Sequence, residues 1–330
     1  MKRVLFVVLF FVFSQSAIAQ DSLVAKEAPK APDKKTLGWT PIANVSVNAA
    51  VSSASNVVGQ TDGSSENYGL DLRGGASYAD IGSDWMNTLS YTGSTAKTPV
   101  QPRYVKSTDL LKFESLGLYS IPSAPKFGPY AKVSADSPIF FGEDVRPAVS
   151  TYNISYRDGT SQQVSSNTLH LTDGFKPLTT KESVGGFWKA FDDGNVHFNT
   201  RLGIGAEQVA ADGQLAVTGV AADGSVSVSE LKSVSQLGVE AEVSGKGRID
   251  EKSLWEVGVE TLTPFISNKD ASDNRDPIRL TNINGNAKLS VKLATWASLV
   301  YDYKVVIEPQ LLDRTQQSNM LVLNLNTNIL

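Results

Sequence analysis

The feature that most constrains this chain is a period of two in its hydrophobicity, which runs from Trp39 to the C-terminal end. Between Asn282 and Leu293, one face carries Ile283, Gly285, Ala287, Leu289, Val291 and Leu293. The other carries Asn282, Asn284, Asn286, Lys288, Ser290 and Lys292. From Ser229 to Gly247, Leu231, Leu237, Val239, Ala241 and Val243 alternate with Lys232, Gln236, Glu240, Glu242 and Lys246. The last segment sets Leu321, Leu323, Leu325, Thr327 and Ile329 against Asn324, Asn326 and Asn328. Side chains alternate across a strand, so this pattern is that of a sheet with one apolar face. No comparable stretch shows the 3.6-residue period of a helix.

Twelve strands are predicted, at 39–51, 66–79, 84–95, 107–121, 127–139, 180–191, 195–209, 229–247, 252–265, 279–293, 296–307 and 316–329. Most exceed ten residues, whereas soluble strands run about five or six. A tilted strand crossing a bilayer needs about 9–11. The gaps at 80–83, 122–126, 192–194, 248–251 and 294–295 are short, and those between them are longer. An even number of long strands, with short turns at one end and long loops at the other, predicts an antiparallel up-and-down transmembrane β-barrel. Both termini then lie on the short-turn, periplasmic side. The aromatics agree. Trp39, Trp85, Tyr119, Phe191, Trp255 and Trp296 fall at short-turn ends, and Tyr68, Phe140, Phe141 and Phe265 near long-loop ends. Two such belts suit the two lipid–water interfaces. Cross-strand partners share a face, so Lys288 and Lys292 facing Ser298, Asp302 and Lys304 demand an odd-length turn, predicted at Leu293-Ala294-Thr295. Asp158-Gly159 and Asp223-Gly224 lie inside long gaps and predict hairpins projecting above the membrane.

The N-terminus adds a targeting segment. Lys2-Arg3 precede the apolar run Val4–Phe13, and Ala17-Ile18-Ala19 matches a small-x-small cleavage site. The expected organisation is a signal peptide over 1–19, a flexible periplasmic leader over 20–38 and the barrel over 39–330. The chain has 330 residues and no Cys, which excludes disulfides, thiol catalysis and Cys-ligated metal. A net charge of −4 without a basic stripe argues against nucleic-acid partners.

Several segments resemble a family of uncharacterised bacterial outer-membrane barrels. They are Gly38-Trp39 with the alternating Ala, Val and Ser that follow, Val58-Gly59-Gln60-Thr61-Asp62-Gly63, and Asp109-Leu110-Leu111 before Ser115-Leu116-Gly117-Leu118-Tyr119. Ala287 to Lys292 with Trp296 to Tyr301 looks like the family's last hairpin, and the resemblance covers most of 38–330. It implies a Gram-negative outer-membrane barrel, surrounded by outer-membrane lipid and folded by the barrel-assembly machinery. The family has no established activity, so the resemblance supplies no catalytic residues. One departure concerns that machinery. Many outer-membrane proteins end in Phe or Trp, and this chain ends Asn328-Ile329-Leu330.

Catalytic and metal chemistry find little support. His170 and His197 fall at opposite ends of the strand map, and no paired Ser/His motif accompanies either. An outer-membrane hydrolase is therefore the third reading, and no enzyme, cofactor or metal is expected. Asp270, Asp273 and Asp276 are spaced by three, unlike calcium loops with acidic ligands two apart, and Lys269 and Arg275 neutralise them locally. The informative set is the polar face. Charges there cannot face lipid, where each basic one costs about 2–4 kcal/mol at the midplane. The expected lumen lining is Lys112, Glu114, Lys132, Asp136, Arg201, Glu240, Glu242, Glu256, Glu260, Lys288, Lys292, Asp302 and Lys304. Two functions stay open: a narrow channel for small polar or ionic solutes, and a structural or surface-interaction barrel whose lumen is closed by ion pairs. Twelve strands lie between the filled and the open barrel sizes.

Overall fold

The protein is described by a computed structural model covering residues 37–54, 63–101, 103–192, 195–269, 273–294 and 296–328. The expected signal peptide and the leader up to residue 36 lie outside the described residues. Among the described residues sixteen strands form. Twelve of them are long: β1 (Gly38–Ala54), β2 (Gly63–Ala79), β3 (Ser83–Lys97), β4 (Val105–Tyr119), β5 (Phe127–Ser137), β8 (Leu178–Asp192), β9 (Val196–Ala210), β12 (Val234–Arg248), β13 (Ser253–Ser267), β14 (Asn282–Ala294), β15 (Ala297–Glu308) and β16 (Leu312–Asn328). They run in the ring order β1-β16-β15-β14-β13-β12-β9-β8-β5-β4-β3-β2, each antiparallel to its neighbours. β1 closes the ring, pairing with β2 along its whole length and with β16 from Asn44 to Val47.

These are the twelve predicted strands, with ends shifted by a few residues. The register carries the alternation around the ring. Lys288 pairs with Asp302 and Glu256 on its two sides, and Leu289 with Tyr301 and Trp255. The apolar row faces outward. Leu202 is 59% exposed, Leu321 65% and Val184 60%. On the outer face, Trp39 packs against Tyr78 and Trp85 at ring-centroid distances of 5.3 and 5.8 Å. Trp188 stacks on Phe127 at 5.8 Å, and Phe198 lies 5.7 Å from Trp255. All seven flank short-turn ends, where the sequence predicts one belt.

The last hairpin differs from expectation. β14 continues through Ala294, which pairs with Ala297, and the register shifts between Lys292 and Ala294. A bulge at Leu293 supplies the odd residue that parity demands, so the turn is two residues rather than Leu293-Ala294-Thr295. Thr295 itself lies outside the described residues. The gap between β15 and β16 is also shorter than predicted, because β16 begins at Leu312.

The two longest loops hold the other four strands: β6 (Gly142–Ser155), β7 (Ser161–Thr172), β10 (Leu215–Val220) and β11 (Val226–Glu230). The predicted hairpins at Asp158-Gly159 and Asp223-Gly224 are both present, with Gly159 and Gly224 at φ 87° and 83°. The parallel pairing of β11 with β6 was not foreseen. It merges both hairpins into one sheet of order β10-β11-β6-β7. The edge strands β7 and β10 approach each other, so the sheet curls around its own core. Tyr152, Ile154, Leu171, Val226 and Val228 are buried there, with Leu169, Leu215 and Val217 against them. Each fully buried side chain of this kind contributes about 1.5–3 kcal/mol.

Candidate functional site

Parity places the polar rows of the long strands inside the ring. Inward polar groups from around the barrel are buried, among them Ser46 (β1), Asp71 (β2), Thr88 (β3), Lys132 (β5), Ser183 (β8), Glu207 (β9), Glu240 (β12), Lys288 (β14) and Ser298 (β15). The outward residues at the same levels stay half-exposed. Inward side chains therefore bury one another around the ring.

Charged groups can be buried in this way only if they are paired. Lys132 Nζ lies 2.5 Å from Glu260 and 3.4 Å from Glu242. Glu242 also accepts from Arg201, its neighbour across β9 and β12. Lys181 Nζ bridges Glu260 at 3.3 Å and Glu207 at 3.2 Å. Asn282 Nδ2 donates to Glu207 Oε1 at 3.0 Å and to Gln236 Oε1 at 2.8 Å. Gln236 Nε2 donates to Gln310 at 2.8 Å, and Gln310 Nε2 to Ser267 at 3.0 Å. One unbroken polar chain thus runs from Arg201 at mid-lumen to Ser267 at the long-loop rim. Lys132 and Glu260 sit on strands four apart in the ring order, so this chain crosses the interior rather than following one hairpin.

The predicted lining residues fall into groups. Lys132, Arg201, Glu242 and Glu260 form the cluster above, and Glu240 sits beside it, accepting from Ser183 Oγ at 2.8 Å. Lys112 lies 3.6 Å from Glu114 and opposite Asp136. Lys288 lies 3.8 Å from Asp302. Lys304 stands opposite Asn286. Glu256 is set apart from the other three glutamates, opposite Lys246 and Lys288 toward the short turns. Lys292 is exposed at the same end, opposite Ser298. Acidic and basic lining residues thus interleave as pairs. Lys181 was missed altogether. Lys181 and Glu182 are adjacent, so either could have faced inward, and the inward parity of their strand decides for Lys181.

The weaker candidates stay apart. His170 Nε2 lies 3.1 Å from Asp173, at the long-loop end. His197 Nδ1 lies 2.6 Å from Asp192, at the short-turn end. In the β13–β14 loop the Arg275 guanidinium donates to Asp273 through Nε and Nη2, at 2.7–3.0 Å, and holds its carboxyl down at about 2. Asp270 lies outside the described residues, and Asp276 opens the turn Pro277–Leu280.

A closed ring of twelve long antiparallel strands, apolar outside and polar inside, defines a transmembrane β-barrel. No family model and no curated protein matches the chain. The resemblance to uncharacterised outer-membrane barrels therefore rests on the sequence motifs. Among solved structures the chain is similar to an outer-membrane channel from Pseudomonas putida F1, at 10% identity and TM-score 0.42, covering 92% of this chain and 100% of that one. It is also similar to the translocator domain of the autotransporter NalP from Neisseria meningitidis, at 9% identity and TM-score 0.35, covering 89% and 90%. The β domain of the Bordetella autotransporter BrkA gives 10% identity and TM-score 0.33, covering 88% and 98%. No residue roles transfer at such similarity.

Proposed function

We propose that this chain is a bacterial outer-membrane β-barrel with a closed lumen, a scaffold that presents the curled four-stranded sheet outside the cell. The observation that supports this reading is the burial of inward polar groups around the ring, bridged across the interior by the polar chain from Arg201 to Ser267. The apolar outer face and its aromatic belt support insertion in lipid. A signal peptide over 1–19 accounts for export, and the barrel-assembly machinery for insertion. The reading includes no catalysis, since His170 and His197 are each held by a carboxylate at opposite ends. Planar-bilayer recording of the purified protein tests it. Insertion without unitary current steps is expected, and reproducible steps would overturn it.

A second reading, passage of small ions through a narrow lumen, is favoured by the nature of the polar chain. Its mid-lumen part consists of charged side chains, which can exchange partners with a mobile ion. In that case Glu240→Gln, Glu242→Gln and Glu260→Gln together shift the reversal potential toward anions. The shift shrinks at 1 M salt, where the Debye length is about 3 Å.

A further inference from the structure

Part of the barrel wall at mid-lumen is bare of side chains. Tyr130 on β5 pairs with Gly185 on β8, Gly185 with Gly203 on β9, and Gly203 with Glu240 on β12. In the next row Lys132 pairs with Ser183, and Ser183 with Gly205. The three glycines leave a trough between β5 and β12, entered from both sides. A Cβ added to Gly203 would stand 2.9 Å from the Tyr130 hydroxyl oxygen. One added to Gly205 would stand 2.7 Å from Glu240 Oε2. Ser183 Oγ reaches over β9 to donate to Glu240 Oε1 at 2.8 Å. Tyr130 therefore lies along the trough with its hydroxyl aimed at the Glu240 side.

Tyr130 is 4% exposed, and among the described residues its hydroxyl makes no hydrogen bond of ordinary length, with only a weak contact to the Ser183 hydroxyl. A buried, unsatisfied hydroxyl is costly unless something else ligates it. Carboxylate oxygens of Glu240, Glu242 and Glu260, the first of them facing Tyr130 across the trough, lie within 4.8 Å of one another. Calcium takes six to eight oxygen ligands in flexible geometry, whereas magnesium demands near-ideal octahedra and dehydrates reluctantly, so an irregular cluster of carboxylates suits calcium better.

We propose that Glu240, Glu242, Glu260 and the Tyr130 hydroxyl form a binding site for a hard divalent cation such as calcium inside the barrel. Lys132 is its built-in competitor. Its ammonium rests 2.5 Å from Glu260 and 3.4 Å from Glu242. Arg201 holds Glu242 and Lys181 holds Glu260 from the other side. An entering cation turns the Lys132 ammonium away toward Glu114, diagonal to it on β4. The wild-type affinity for cations is accordingly weak, and removing the ammonium strengthens it.

Calcium titration calorimetry on the refolded barrel in detergent tests the site, with tyrosine-sensitised terbium luminescence as a second readout. Lys132→Met binds calcium at least ten-fold more tightly than the wild type, and Lys132→Gln serves if the first variant does not fold. In either background Glu240→Gln lowers the affinity at least ten-fold, Tyr130→Phe lowers it severalfold, and magnesium binds at least ten-fold more weakly than calcium. Absence of calcium binding in both the wild type and the Lys132 variant overturns the proposal. So does binding that survives Glu240→Gln unchanged, which would place the ion on loop carboxylates.

Discussion

Glu260 shows how the interior is held at the scale of one side chain. Two ammonium groups, Lys132 and Lys181, share its carboxylate. Removing the charge leaves both cations short of a partner inside the barrel, and breaking a buried pair costs about 3–5 kcal/mol. Glu260→Gln is therefore expected to lower the urea midpoint of the refolded barrel by the equivalent of about 3 kcal/mol. Replacing the exposed Lys292 by Gln should leave the midpoint within error. Gly203 makes a steric case. A Cβ there would meet the Val184 carbonyl oxygen at 2.2 Å as well as the Tyr130 hydroxyl. Because backbone must move, Gly203→Ala is expected to slow folding and lower the midpoint, whereas Gly159→Ala in an open turn should impair no barrel contact. Alternation alone identifies Glu240, Glu242 and Glu260 as inward. It says nothing of Lys132 reaching Glu242 and Glu260, because partners three and four strands apart in the ring leave no mark in the sequence.

At the scale of the element, β14 offers a paired test. Leu289 faces outward and Lys288 inward against Asp302. Leu289→Arg exposes a cation to hydrocarbon, at about 2–4 kcal/mol, and is expected to abolish heat-modifiable, folded barrel on gels. Lys288→Gln keeps the polar row and should still yield folded barrel at a lower midpoint. In the curled sheet, Tyr152 is fully buried and donates to Asp144 at 3.0 Å. Burial first, and then the Asp144 charge, push its phenol from 10.0 up to about 12. The sign follows. A raised pKa means the neutral phenol stabilises the sheet below about pH 10, and that contribution is lost as the pH rises through about 12. The difference in phenolate absorbance between wild type and Tyr152→Phe should titrate near the upper value. The twelve long strands were legible because lipid on one side and polar groups on the other enforce strict alternation. The turn at Leu293 was misjudged because a bulge changes parity without changing composition.

For the whole molecule the strand order fixes sidedness. A protease site inserted between Asp158 and Gly159 is expected to be cut on intact cells, and one between Asp250 and Glu251 only after the envelope is opened. The opposite pattern would invert the barrel. Up-and-down order was readable from sequence because hairpins join neighbours in the chain. The β11–β6 pair was not, because it joins loops separated by two barrel strands, β8 and β9. That pair also sets a timetable. A parallel ladder cannot be closed by a hairpin, so β6 must wait for β11 to emerge. Until then the β6–β7 hairpin keeps an unsatisfied edge next to Tyr152 and Ile154, the kind of edge that recruits foreign strands. The two loops are consequently one inherited unit. Shortening or exchanging either strands the other with an open edge, so variation among kindred chains should come as matched changes in both.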